Sequence, residues 1–123
     1  MEREDESPTM LYSSGRETHS GREDGPVRRF RIALAQVNPT VGDLDGNSRI
    51  VLEGMDRARE LGVDLVAFPE LVITGYPPED LLFKKAFVSR NLDIINSIAL
   101  KTKGLAAIVG FVDRDEDGRL YNA

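Results

Sequence analysis

Asp64-Leu65-Val66-Ala67-Phe68-Pro69-Glu70-Leu71-Val72-Ile73-Thr74-Gly75-Tyr76-Pro77-Pro78-Glu79-Asp80-Leu81-Leu82 is the stretch on which the fold turns. Residues 64–68 are too continuously apolar for a half-exposed strand and read as one buried on both faces, as in a parallel sheet beneath helices. The run stops at Pro-Glu, so a carboxylate arrives at the carboxyl end of a strand, the edge where open α/β sheets bind their ligands. Flanked by Phe68, Leu71 and Val72, Glu70 is expected to be partly desolvated, which raises a carboxylate's pKa and suits it to general acid-base work. A plainer role also fits, as partner of a helix N-terminus or half of a salt bridge, because perturbed carboxylates are structural as well as catalytic. Pro69, Pro77 and Pro78 remove donors and restrict φ, so the loop from residue 70 to 78 is expected to be stiff.

Upstream, residues 30–36 (Phe-Arg-Ile-Ala-Leu-Ala-Gln) form a first strand, closed by the turn chemistry of Val37-Asn38-Pro39-Thr40. Asp45 and Asn47 are N-cap candidates for a helix whose buried stripe is Ile50, Val51, Met55, Ala58 and Leu61, and Gly62 ends it. Gly42 and Gly46 match neither the dinucleotide fingerprint nor the phosphate loop, and Asp43 and Asp45 would repel a pyrophosphate. Downstream, Glu79 and Asp80 fall in a first helical turn after Pro78, where negative charge complements the helix dipole, and no chemistry is assigned to them. A longer helix over residues 84–101 presents Phe87, Val88, Leu92, Ile95, Ile98 and Ala99 on one face. Residues 105–112 form a third buried strand, Asp117-Gly118 signals a hairpin, and residues 119–123 begin a fourth strand. The order is β-α-β-α-β-β, with the first three strands parallel and the helices as crossovers.

Composition removes several classes of function. Cysteine is absent and the single histidine, His19, lies in the polar N-terminal segment, so Ser-His-Asp, Cys-His and His-cluster metal chemistry are all unavailable. A net charge of −5, without a Lys/Arg cluster beyond Arg28-Arg29 and Lys84-Lys85, argues against a nucleic-acid surface. No apolar run is long enough to span a bilayer. Residues 1–29 are mostly Glu, Asp, Arg, Ser and Gly and read as a disordered polar tail, Met10-Leu11-Tyr12 being too small an apolar cluster to offset ordering entropy. Without a secretory h-region or the acid-poor character of a transit peptide, cytoplasmic residence follows by default. The folding unit is therefore residues 30–123.

Phe68-Pro69-Glu70-Leu71 followed by Thr74-Gly75-Tyr76-Pro77-Pro78-Glu79-Asp80-Leu81-Leu82 resembles the first catalytic block of the nitrilase (carbon-nitrogen hydrolase) superfamily. The extension from Gly75 to Leu82 is more typical of one branch, the N-terminal glutaminase domain of glutamine-dependent NAD synthetases. Residues 35–47, Ala-Gln-Val-Asn-Pro-Thr-Val-Gly-Asp-Leu-Asp-Gly-Asn, are similar to the opening strand and loop of the same superfamily, a second block of agreement.

The resemblance implies an α/β fold, the first part of a nitrilase-like four-layer α-β-β-α sandwich. It implies a catalytic set of a Glu base, a Lys that stabilises the oxyanion and a Cys nucleophile that forms a thioester, of which Glu70 alone has a counterpart here. Tyr76 matches a tyrosine lining the glutamine site, a Tyr packing the loop being the alternative. The chain is expected to be a truncated domain, inactive by itself, with the Lys and Cys blocks beyond Ala123. The glutaminase part needs no cofactor, whereas ATP and magnesium belong to the missing synthetase domain that receives the ammonia. The partners implied are glutamine, that domain and further copies in a homo-oligomer. Two other readings stay open: a fragment of another amidase of the superfamily, or a non-catalytic remnant serving as an interaction module.

Overall fold

Small side chains at alternate positions allow helices to lie close against one face of the central sheet. In β2 (Ile32–Gln36), Ala33 and Ala35 are buried while Ile32, Leu34 and Gln36 point the other way. β3 (Leu65–Ala67) and β4 (Ala106–Ile108) continue the sheet in parallel, with Val66 between Ala33 and Ala107. Ala33, Ala35, Val66 and Ala107 therefore share a face. Onto that face pack α1 (Leu44–Glu60) and α2 (Lys85–Ala99), the crossovers of the two parallel connections. Val51, Met55 and Ala58 of α1 meet Ile94 and Ile98 of α2, with Phe68 and Ile73 closing the core. Each fully buried Val or Met here contributes about 1.5–3 kcal/mol. The structure is a computed structural model that describes residues 9–13 and 29–123.

The expected order and parallel pairing of the α/β fold are present, with four corrections. First, the strands are not buried on both faces: Ile32, Leu34 and Ile108 are 41%, 53% and 57% exposed, because both crossover helices lie on the same side. Second, the expected disordered tail contains β1 (Thr9–Ser13), antiparallel to β2 with Thr9 opposite Gln36 and Ser13 opposite Ile32. The backbone groups on the outer edge of β2 are open to pairing, and the one stretch of the tail with strand-forming residues takes them. The remainder of the expected tail, Arg29 apart, lies outside the described residues.

Third, the continuous strand expected over residues 105–112 is broken after Ile108, and β5 (Val112–Arg114) leaves for a separate two-stranded sheet with β6 (Leu120–Asn122). Gly110 at the break passes against the turn that follows β3, so the chain cannot hold its register along the sheet. The hairpin signal itself is realised at Gly118, with φ +84.

Fourth, the helices use their asparagines internally. The N-cap of α1 is Asp43, whose side chain accepts from Gly46 N at 2.9 Å, rather than Asp45 or Asn47. Asp45 instead pairs with Arg90 of α2 at 2.9 Å, an exposed ion pair worth under about 1 kcal/mol. Asn47 is fully buried: its Nδ2 donates to Thr40 O (2.8 Å) and Ile73 O (3.0 Å), and its Oδ1 accepts from Thr40 N (2.8 Å). On α2 the buried stripe is Val88, Asn91, Ile94 and Ile98; Phe87, Leu92 and Ile95 are half-buried and Ala99 is exposed. Removing the amide in Asn47→Ala strands three backbone groups in the interior, and a loss of about 2 kcal/mol is expected in the denaturant midpoint. An unchanged midpoint would mean that these groups find other partners.

Candidate active site

The turn after β3 is built so that its apolar residues go inward and its carboxylate stays out. Phe68 N donates to Ile108 O (2.9 Å), carrying the sheet one step past β3. Leu71 then adopts φ 48, in the left-handed region that costs a non-glycine residue about 1–2 kcal/mol. What holds it there is burial: Leu71 is 6% exposed and packs with Val88 and Val112. Residues 71–75 are all buried, stitched by Gly75 N to Leu71 O (2.9 Å), Ile73 N to Gly110 O (3.3 Å) and Gly42 N to Thr74 O (2.9 Å). Two glycines permit these approaches. A Cβ on Gly110 would lie 2.4 Å from Leu71 N, and one on Gly75, where φ is +74, would lie 2.6 Å from Val41 Cα.

Glu70 therefore rests on a rigid backbone at the carboxyl end of β3, where it was expected. Its expected desolvation is corrected. The side chain is exposed, because Leu71, Val72 and Ile73 turn away from it into the core. One contact was not foreseen: Asn122 Nδ2 donates to Glu70 Oε1 across 52 residues of sequence. Only the path of the β5–β6 hairpin brings the two together, and no local pattern announces it. The hairpin is anchored by buried Asn91, which donates to Val112 O (2.5 Å) and accepts from Val112 N (3.4 Å). At its other end Asp115 accepts from the Tyr121 hydroxyl (2.7 Å) and Arg119 N (2.8 Å). The Tyr121 bond foremost, with the backbone donors, holds the Asp115 carboxyl below the ordinary range.

Tyr76 stands further along the same loop, before a cis peptide bond to Pro77, and is 64% exposed. Glu79 and Asp80 are exposed in the first turn of a short 3-10 helix (Glu79–Phe83), as expected of capping charges. Glu70 borders neither the polar hollow of about 200 Å³ between α1 and α2 nor the apolar one of about 420 Å³ lined by Ile95, Thr102, Leu105 and Phe111. Among the described residues no three His, Cys, Asp or Glu side chains gather as metal ligands, and no helix is long and apolar enough to cross a membrane. The arrangement offers an accessible carboxylate, oriented by one amide donor, that can accept or return a proton.

The sequence pattern of the carbon-nitrogen hydrolase family matches residues 31–123. Similar proteins include the glutamine-dependent NAD(+) synthetase of Thermotoga maritima, 42% identical over 99 residues, which covers 79% of this chain and 17% of that protein. That of Acinetobacter baylyi is 35% identical over 97 residues, with 79% and 18% covered. Among solved structures, the glutamine-dependent NAD+ synthetase of Acinetobacter baumannii, in complex with adenosine diphosphate, superposes with a TM-score of 0.71 at 36% identity, over 76% of this chain and 18% of that one. The chain thus spans less than a fifth of the length of the curated relatives it matches. The α/β fold with its parallel sheet is that of the synthetase structures, and Glu70 lies within the region matched to the family. By that match over the whole of its principal folded region, the chain belongs to the carbon-nitrogen hydrolase family.

Proposed function

We propose that this chain is the N-terminal part of the glutamine-hydrolysing domain of a glutamine-dependent NAD synthetase, with Glu70 as its general base. The observation that carries the reading is the Glu70 turn: an accessible carboxylate at the carboxyl end of β3, on a backbone held in the left-handed region at Leu71, within the region matched to the family. In the full-length enzyme a Cys and a Lys come from residues beyond Ala123. Glu70 takes the thiol proton as sulfur bonds to the carboxamide carbon of glutamine, and the Lys holds the oxyanion. The same proton passes to the departing nitrogen as the C–N bond breaks, leaving ammonia and a thioester that water then hydrolyses. Tyr76, exposed on the same loop, lines the glutamine site. The ammonia amidates nicotinic acid adenine dinucleotide in a separate synthetase domain, to which ATP and magnesium belong. The open sheet face at Ile32, Leu34 and Ile108 is where the second sheet of a four-layer sandwich packs.

Residues 1–123 by themselves are expected to release no ammonia from glutamine, since the sequence has no Cys to carry the acyl group. The full-length enzyme is expected to release ammonia and to make NAD from glutamine. An assay of ammonia release on both decides: sustained turnover by residues 1–123, or none by the full-length protein, overturns the reading.

A further inference from the structure

We propose that Asn122 is a positioning residue for Glu70, a role that rests on the reading of Glu70 as the base. An exposed glutamate has three rotatable side-chain bonds and no intrinsic preference for the rotamer that catalysis needs. Asn122 supplies that preference by donating from Nδ2 to Glu70 Oε1, which leaves Oε2 free to take the proton. A neutral amide is suited to the task because it orients the carboxylate without the full positive charge that would oppose its protonation.

The hairpin is built to deliver this contact. Asn122 pairs with Val112 in the β5–β6 ladder, and the two backbone bonds between Phe111 and Ala123 (2.9 and 3.0 Å) lock the next step of the register. Val112 is itself clamped to α2 by Asn91, and it packs against Leu71, the residue after Glu70. A slip of one residue would exchange the faces of Tyr121 and Asn122. The Tyr121 hydroxyl, held by Asp115 at the turn, opposes that slip. The orientation of Glu70 is thus set from both sides, its backbone by the buried turn and its carboxylate by the hairpin.

The test is a double-mutant cycle in the full-length enzyme, assayed by ammonia release from glutamine. Asn122→Ala is expected to lower kcat about 10- to 100-fold with little change in KM. In the Glu70→Gln background the same change should cost under about two-fold, because the group through which Asn122 acts is already lost. Asn122→Asp, nearly isosteric, keeps the hairpin's shape while replacing the donor with a like charge, and should lose as much kcat as Asn122→Ala. Normal kcat in both Asn122 variants, or an equal loss in both Glu70 backgrounds, overturns the proposal. If Glu70→Gln is itself silent, the reading of Glu70 as base fails first and this role falls with it. A costly Glu70→Gln beside silent Asn122 variants overturns the positioning role alone.

Discussion

Glu70→Gln in the full-length enzyme is expected to cut glutamine hydrolysis about 100-fold or more, a rise of about 2.7 kcal/mol in the barrier. The substitution keeps the length of the side chain and an oxygen that can still accept from Asn122 Nδ2, so what it removes is basicity. The side chain is exposed and outside the hydrophobic core, so folding should be unaffected and the loss should fall on kcat. Because hydrolysis and amidation belong to different domains in the proposed enzyme, NAD formation should recover when ammonia is supplied directly. Near-normal ammonia release would return Glu70 to the plainer role of a helix or ion-pair partner.

Gly110→Ala is expected to destabilise the fold by about 3 kcal/mol and to lower turnover at least about ten-fold. The added Cβ would sit 2.4 Å from Leu71 N, 2.9 Å from Pro69 O and 3.0 Å from Glu70 C, all backbone atoms that cannot swing aside as a side-chain tip can. Two elements must then separate, weakening the Ile73 N to Gly110 O bond and the packing that keeps Leu71 at φ 48. Once that turn relaxes, the base moves with it. Thermal melting and ammonia release should therefore fall together. A variant that melts like the parent and turns over normally would show that the turn yields without cost.

Much of the fold is legible in the chain because it follows from short-range rules. Short apolar runs bounded by turn residues place the three parallel strands, period-3.6 apolar spacing places the two helices, Gly62 ends the first helix, and Asp117-Gly118 makes the hairpin. Pro69-Glu70 at the end of an apolar run puts the carboxylate at the sheet's carboxyl edge. These are properties of neighbouring residues, and neighbours suffice to set them.

Tertiary structure alone decided which faces are covered and what touches Glu70. Whether a continuous apolar run is buried on one side or two depends on where the crossover helices land, and here both landed on the same side. Asn47 reads as a capping candidate in sequence and Asn91 carries no signal there, but both become buried clamps because segments distant in sequence present backbone groups to them. β1 forms because β2 has an open edge, and the expected third strand breaks because Gly110 meets another segment's backbone. The contact of Asn122 with Glu70 spans 52 residues and exists only once the hairpin register and the turn after β3 are both in place. Periodicity records how a residue relates to its own element, whereas burial, clamping and the orientation of the carboxylate depend on how the elements meet in space.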